Sequence, residues 1–191
     1  MLNGIMQFSK VGINEATEAF IQLNSYLEKL KEKKPAAKCI QNPKLPEIIS
    51  ESIVYHLISD GKCPLIKIQA GDTIHHSIKA SRYKSANGWT GARRNNTDLV
   101  IKRKNITETL IEVKATQVGY TEFKPKDVEA DFIVWVEFND TFRSGTNKQI
   151  EVLVIRPTGI SAKQWNWKPF QKKHSKSCTM IQFTNLKSIM A

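Results

Sequence analysis

The chain has 191 residues, 40% of them hydrophobic, and a formal net charge of +11. This length and composition suit one globular domain, and no apolar run is long enough to span a membrane. The first ten residues lack a signal-peptide pattern, and the three widely spaced cysteines match neither a zinc site nor a disulfide framework. The sequence therefore predicts a cytoplasmic protein with reduced cysteines and no membrane partner.

The basic residues are concentrated in two stretches of the chain. Residues 79–104 carry eight basic and one acidic side chain, and residues 152–191 carry seven basic and no acidic ones. The stretch between them, residues 105–151, has five basic and nine acidic side chains. Because basic surfaces attract phosphate backbones, this distribution predicts nucleic-acid contacts on both sides of a more acidic centre. A general solubility charge or an affinity for ribosomal RNA is the alternative.

The N-terminal region, residues 1–45, is predicted to be helical. Apolar residues recur at helical spacing over residues 15–34, which predicts an amphipathic helix. Pro35 ends it, because the residue before a proline disfavours the helical conformation. We expect this helix to pack on the core, and a dimerisation helix is the alternative.

The catalytic core is predicted to span residues 46–156 and to open with a helix over residues 46–60. Pro46 suits the first turn of that helix and Gly61 suits its C-terminal end. A strand is expected over residues 65–69. The adjacent His75 and His76 are placed in a loop, since no third residue has the spacing of a metal ligand.

A polar and irregular stretch follows over residues 79–96. Arginine and lysine hold phosphates, and arginine and asparagine can read guanine and adenine edges. We therefore expect this stretch to contact DNA, whereas its Tyr83 and Trp89 could either stack on bases or anchor the loop to the core. The predicted DNA-binding side chains, with one taken from the segment after the next hairpin, are Lys79, Arg82, Lys84, Asn87, Arg93, Arg94 and Gln117.

A β-hairpin is predicted next, with its two arms over residues 98–102 and 109–115 and a polar turn around residues 104–107. Side chains alternate between the faces of a strand, and a one-residue slip would move an apolar set to the wrong face. The apolar pattern therefore pairs Leu99 with Ile111 in the core.

The same register brings Asp98, Glu112 and Lys114 together on the opposite face of the hairpin. Two carboxylates can hold Mg²⁺, which polarises a phosphodiester and lowers the pKa of a bound water. A neighbouring lysine can orient that water or stabilise the developing negative charge. The alternative is a solvated cross-strand pair with no catalytic role.

The remainder of the chain predicts further strands and a basic tail. Asp127, Glu129 and Asp131 alternate with apolar residues and are predicted to form a solvated turn. Strands are expected over residues 132–138 and 150–155, the first buried on both faces because it is almost continuously apolar.

Residues 157–191 are predicted to be a basic C-terminal tail around the core. Trp165 and Trp167 stand next to a basic stretch over residues 168–176, so they could contact DNA or be buried under the sheet. A last strand is expected over residues 180–183, and a short helix over residues 185–190.

The Asp98 and Glu112-Val113-Lys114 pattern resembles the PD-(D/E)XK nuclease superfamily, and in particular the type II restriction endonucleases. The resemblance is best over residues 46–138, and Thr97 stands where the motif often has proline. It implies an α/β fold with a mixed central β-sheet flanked by helices, a restriction-endonuclease-like core, and one nuclease domain over residues 1–191.

The resemblance also implies a Mg²⁺-dependent endonuclease that hydrolyses double-stranded DNA at a specific sequence, or a nicking or cleavage subunit of one. Asp98 and Glu112 would bind Mg²⁺, Lys114 would position the water, and Glu51 would join the metal site from the second helix. Because both DNA strands must be cut, a homodimer or a larger partner subunit is expected. The alternatives are another nuclease of the superfamily, of the resolvase, transposase or repair type, and a non-catalytic basic module that binds nucleic acid.

Overall fold

The structure is a computed structural model that describes residues 9–40, 47–76, 97–103, 108–117, 119–139 and 149–191. The described chain is a mixed α/β structure. Its helices are α1 (Lys10–Lys33), α2 (Glu47–Ser59), α3 (Trp167–Lys173) and α4 (Leu186–Met190). Its strands are β1 (Thr73–His76), β2 (Leu99–Lys102), β3 (Glu108–Thr116), β4 (Tyr120–Glu122), β5 (Phe132–Glu137), β6 (Ile150–Ile155), β7 (Gln164–Asn166) and β8 (Cys178–Phe183).

Six of the strands form one sheet in the order β1-β2-β3-β5-β6-β8. β3 and β5 run parallel, whereas the other neighbours in this sheet run antiparallel. The predicted mixed central β-sheet is therefore confirmed. β4 and β7 pair separately as a small antiparallel sheet.

The first face of the main sheet packs on α1, α2 and α4. Ile111 and Val113 of β3 lie there in one buried cluster with Ile53 and Leu57 of α2. Each of these side chains is at most 8% exposed. The predicted apolar side of the hairpin thus builds the larger part of the core.

The second face of the main sheet carries a smaller, aromatic cluster. Ile133 and Trp135 of β5 pack there with Trp167 and Phe170 of α3. The rings of Trp135 and Trp167 meet edge to face with centroids 4.8 Å apart, a geometry that aromatic quadrupoles favour. Trp165 is also buried in this cluster, so both tail tryptophans belong to the core.

The helices agree with the sequence pattern apart from their ends. α1 begins five residues before the predicted start at residue 15, because the Ser9 side chain accepts a hydrogen bond from the Gly12 backbone N–H and caps the helix. α2 lies within the predicted residues 46–60. The predicted register of the hairpin is confirmed, since Leu99 pairs with Ile111.

The predicted strand over residues 65–69 is wrong. The Gln69 backbone N–H donates to the Asp72 carboxylate and the Asp72 N–H donates back to the Gln69 carbonyl, each at 3.0 Å, so the chain turns there. Ile66 is buried without strand pairing. The edge strand is instead β1, which contains His75 and His76 and pairs with β2, so their placement in a loop is also wrong.

The C-terminal region contributes directly to the main sheet. β8 begins two residues before the predicted strand and pairs with β6 at the sheet edge. α4 is the short helix predicted over residues 185–190. It is capped by Asn185, whose side chain accepts a hydrogen bond from the Ser188 backbone N–H. Residues 157–191 are therefore part of the fold as well as basic.

No helix in the described ranges has the length and apolarity needed to cross a membrane. The predicted hairpin turn lies outside the described residues, as do the predicted DNA contacts from Lys79 to Arg94.

Candidate active site

Asp98 is fixed directly against β3. It lies one residue before β2, and its backbone N–H donates to the Ile111 carbonyl at 3.1 Å. Its carboxylate Oδ2 accepts from the Val113 backbone N–H at 2.8 Å. These two bonds hold a side chain that is only 5% exposed beside the strand that carries Glu112.

Glu112 and Lys114 point to the second face of the sheet. Glu112 is in register with Ile133 and Lys114 with Trp135, both members of the aromatic cluster. Glu112 is 2% exposed, so it is a buried carboxylate rather than half of a solvated pair. The Lys114 ammonium donates to Glu112 Oε1 at 2.9 Å.

Asp127 belongs to the same cluster, so its predicted place in a solvated turn is wrong. It lies in a one-turn 3-10 helix, Asp127–Glu129, just before β5 and is fully buried. Its carboxylate Oδ2 lies 2.8 Å from Lys114 Nζ and accepts from the Lys124 backbone N–H at 2.8 Å. The ammonium and the backbone N–H together explain why this acid is tolerated inside the fold.

The two lysines of the cluster differ in position. Burial alone would lower the pKa of Lys114, but the Glu112 and Asp127 carboxylates outweigh it and raise that pKa. Lys126 reaches the cluster less closely, with Nζ 3.6 Å from Glu112 Oε1 and 4.0 Å from Asp127 Oδ1. Lys114 is thus the inner counter-ion and Lys126 the outer one.

The carboxylates of the cluster have very different proton affinities. Burial, followed by the negative charge of Asp98, raises the pKa of Glu112 to about 7. Burial also acts to raise the pKa of Asp127, but hydrogen bonds from Lys114 and the Lys124 N–H lower it overall.

Two oxygens of the cluster accept no hydrogen bond from the residues that the structure describes. In the described part of the chain, Glu112 Oε2 and Asp127 Oδ1 are buried without a hydrogen bond. Over the same residues, no group of three or more His, Cys, Asp or Glu side chains is arranged to hold a metal ion. These two unpartnered oxygens, one from Glu112 and one from Asp127, are hard donors of the kind that Mg²⁺ binds, and the ion would complete its shell with water and substrate phosphate.

Two further predicted residues lie at the margins of the site. Glu51 is half-buried in α2, which packs on the first face, whereas Glu112 points to the second. Gln117 is half-buried directly after β3. Metal binding by Glu51 and DNA contact by Gln117 stay predictions.

Another buried carboxylate, Glu137, ends β5 on the second face. It is 2% exposed, and it accepts from the Gly119 and Asn139 backbone N–H groups at 2.9 Å each. Burial raises its pKa to about 7. It lines a cavity of about 260 Å³ together with Glu151 and Trp167.

An exposed basic surface covers the aromatic cluster. Trp167 and Phe170 hold α3 against the second face, while the lysines of α3 point to solvent. Lys163 lies over the Trp165 ring with its ammonium 4.2 Å from the centroid. The exposed lysines of this basic surface are Lys163, Lys168, Lys172 and Lys173.

Comparisons with protein-family models, with curated proteins and with solved structures find no match to this chain.

Proposed function

We propose that this chain is a Mg²⁺-dependent endonuclease that hydrolyses phosphodiester bonds in double-stranded DNA, with a restriction-endonuclease-like core. The observation that carries the proposal is that two buried carboxylates, Asp98 and Glu112, lie on one sheet face with the partly buried Lys114. Asp98 comes from one arm of the hairpin, and Glu112 and Lys114 come from the other. The register of the two strands fixes the spacing between them. A buried cluster of interacting charges of this kind is typical of functional sites.

Mg²⁺ would be held by Asp98 and Glu112, with Glu112 Oε2, which has no hydrogen-bond partner among the described residues, as one ligand. When bound, the ion would polarise a phosphodiester oxygen and supply a water of lowered pKa. Glu112 must be ionised to bind it, and its pKa of about 7 places that ionisation near neutral pH. Metal binding is therefore expected to release a proton from the cluster.

Lys114 acts as a cation in this proposal. Its raised pKa keeps the ammonium protonated at neutral pH, so it is not a general base before the metal binds. As a donor it can orient the attacking water and stabilise negative charge as the phosphorane forms.

The basic surface on α3 supports binding to DNA. Its lysines are exposed on the layer that covers the second face, which is also the face of Glu112. Cations there would position the phosphate backbone without reading sequence. Sequence readout would come from loops, and cleavage of both strands from a homodimer or a larger partner subunit.

One observation favours a second function, a non-catalytic basic module that binds nucleic acid. Lys114 already bridges Glu112 and Asp127, and Lys126 adds a further positive charge. A nearly neutral buried network of this kind can be purely structural.

Incubation of the purified chain with supercoiled plasmid separates the two functions. We expect cleavage in Mg²⁺ and none in EDTA, with discrete fragments for a sequence-specific enzyme or a nicked circle for a subunit that cuts one strand. Asp98→Asn and Glu112→Gln should each reduce the cleavage rate by about 100-fold or more.

Glu108→Gln is the matched control, because Glu108 lies on the same strand but is exposed. It should cleave like the wild type. DNA binding without metal-dependent cleavage in the wild type would reject the enzyme and leave the binding module.

A further inference from the structure

The geometry points to a further cation ligand: we propose that Asp127 and Glu112 bind a divalent ion as a pair, and that Lys126 competes with that ion for their carboxylates. The inference rests on the proposed function and adds to it an acid from outside the hairpin. It also assigns a role to a second lysine of the cluster.

The state of Asp127 is the first observation. It is 0% exposed, yet its Oδ1 has no hydrogen-bond partner among the described residues. Leaving a charged oxygen buried and unpartnered is costly, so such an atom in a folded protein calls for a missing partner. Lys114 is not that partner, because its ammonium contacts the other oxygen, Oδ2.

Glu112 resembles Asp127 in that Lys114 contacts only one of its two carboxylate oxygens. Lys114 lies 2.9 Å from Glu112 Oε1, while Glu112 Oε2 is buried and unpartnered among the residues that the structure describes. One ammonium thus anchors two neighbouring carboxylates and leaves one oxygen on each available to a cation. Two carboxylate oxygens on adjacent side chains are hard ligands that suit Mg²⁺ or Mn²⁺.

Lys126 is the third observation. Its ammonium is near both carboxylates, 3.6 Å from Glu112 Oε1 and 4.0 Å from Asp127 Oδ1, and its side chain is 34% exposed. These distances are longer than the Lys114 contacts, and its partial exposure gives it a route to solvent. A divalent ion carries twice the charge of an ammonium, so it can displace Lys126 from the pair.

Binding of Mn²⁺ alone to the full chain, without DNA, tests the proposal. Titration followed by the paramagnetic resonance signal of free Mn²⁺ gives the affinity directly. Asp127→Asn and Glu112→Gln should each weaken Mn²⁺ binding roughly tenfold or more. Lys126→Gln should tighten it several-fold, because a competing cation is removed.

Asp131→Asn is the matched control. Asp131 also accepts a backbone N–H, from Leu110 at 2.8 Å, but it lies in the exposed part of the same segment. Its Mn²⁺ affinity should equal that of the wild type. If Asp127→Asn does not fold, Asp127→Glu, which keeps a carboxylate, should retain measurable binding, and the Lys126→Gln result stands independently.

Unchanged Mn²⁺ affinity in folded Asp127→Asn, weaker binding in Lys126→Gln, or no Mn²⁺ binding by the wild type would each overturn the proposal. Failure of the proposed function has a different signature. A wild type that binds Mn²⁺ through Asp127 but leaves DNA intact would reject the nuclease and keep this site. A wild type that cuts DNA, with Asp127→Asn equal to it in Mn²⁺ affinity, would reject this site and keep the nuclease.

Discussion

Individual residues of the cluster differ in how well the sequence predicts them. Alternation along two strands is enough to bring Glu112 and Lys114 beside Asp98. Asp127 cannot be found in this way, because its burial depends on a turn that folds over a neighbouring strand. The signal that the sequence does hold is its position five residues before the strongly apolar β5, where a short connection must pass close to the sheet.

Glu137 gives a prediction at the residue scale. Its pKa in the folded chain is about 7, against an ordinary value of 4.5, so the folded state binds a proton that the unfolded state has released between these pH values. The free energy of unfolding should therefore fall as pH rises from 4.5 to 7, by on the order of 3 kcal/mol from this group. Urea unfolding at several pH values measures this slope.

Glu137→Gln should make that slope less steep, because this group can no longer ionise, whereas the contribution of Glu112, whose pKa is also about 7, remains. Glu129→Gln is the control, since Glu129 is exposed to solvent, and it should keep the slope of the wild type. A slope in Glu137→Gln as steep as that of the wild type would show that ionisation of Glu137 is not linked to folding.

Among the elements, those with long and regular patterns are predicted best. The hairpin register follows from the pairing of Leu99 with Ile111, and β5 and β6 follow from their apolar runs. The strand predicted over residues 65–69 is wrong because its buried apolar residues pack against the first face without pairing. β1 is missed because its two histidines look polar, although an edge strand needs only one buried face.

Phe170 gives a prediction for α3 as an element. This fully buried ring meets Phe123, Trp135 and Trp165 with centroids 5.3–5.8 Å apart. Phe170→Ala should lower the free energy of unfolding by about 3–5 kcal/mol, because it leaves a cavity among these rings. Urea denaturation measures the change, and Lys172→Ala on the exposed side of α3 should stay within about 0.5 kcal/mol of the wild type.

Across the whole molecule, the two faces of the sheet are divided between packing and charge. Helices α1, α2 and α4 cover the first face, whereas the second face holds the carboxylate cluster and the layer of α3. The sequence predicts the α/β class and the basic C-terminal region. It predicts a last strand in this region but not that the strand joins the main sheet beside β6, because strand order depends on long-range pairing that local patterns do not encode.

This division predicts where DNA binds. Replacing Lys168, Lys172 and Lys173 of α3 by alanine should weaken duplex binding. It should also reduce the slope of log affinity against log salt by about one for each phosphate that the protein no longer neutralises. Fluorescence anisotropy with a labelled duplex measures both quantities.

The control is a second triple alanine variant on the α1 side, at the exposed residues Lys29, Lys33 and Lys38. It should leave the slope of log affinity against log salt unchanged. Equally weakened binding in the two triple variants would indicate a diffuse attraction without a DNA-binding face.

The parallel pairing of β3 and β5 also determines when the carboxylate cluster is assembled during synthesis. During translation, Glu112 and Lys114 leave the ribosome before Asp127, and the pairing of β5 with β3 brings the Asp127 turn against Lys114. Until it docks, Glu112 is hydrated and its acidity is that of a free glutamate. The unusual proton affinity of Glu112 therefore arises late in synthesis, when the parallel pair forms, and a chain arrested before residue 127 would carry the motif without its chemistry.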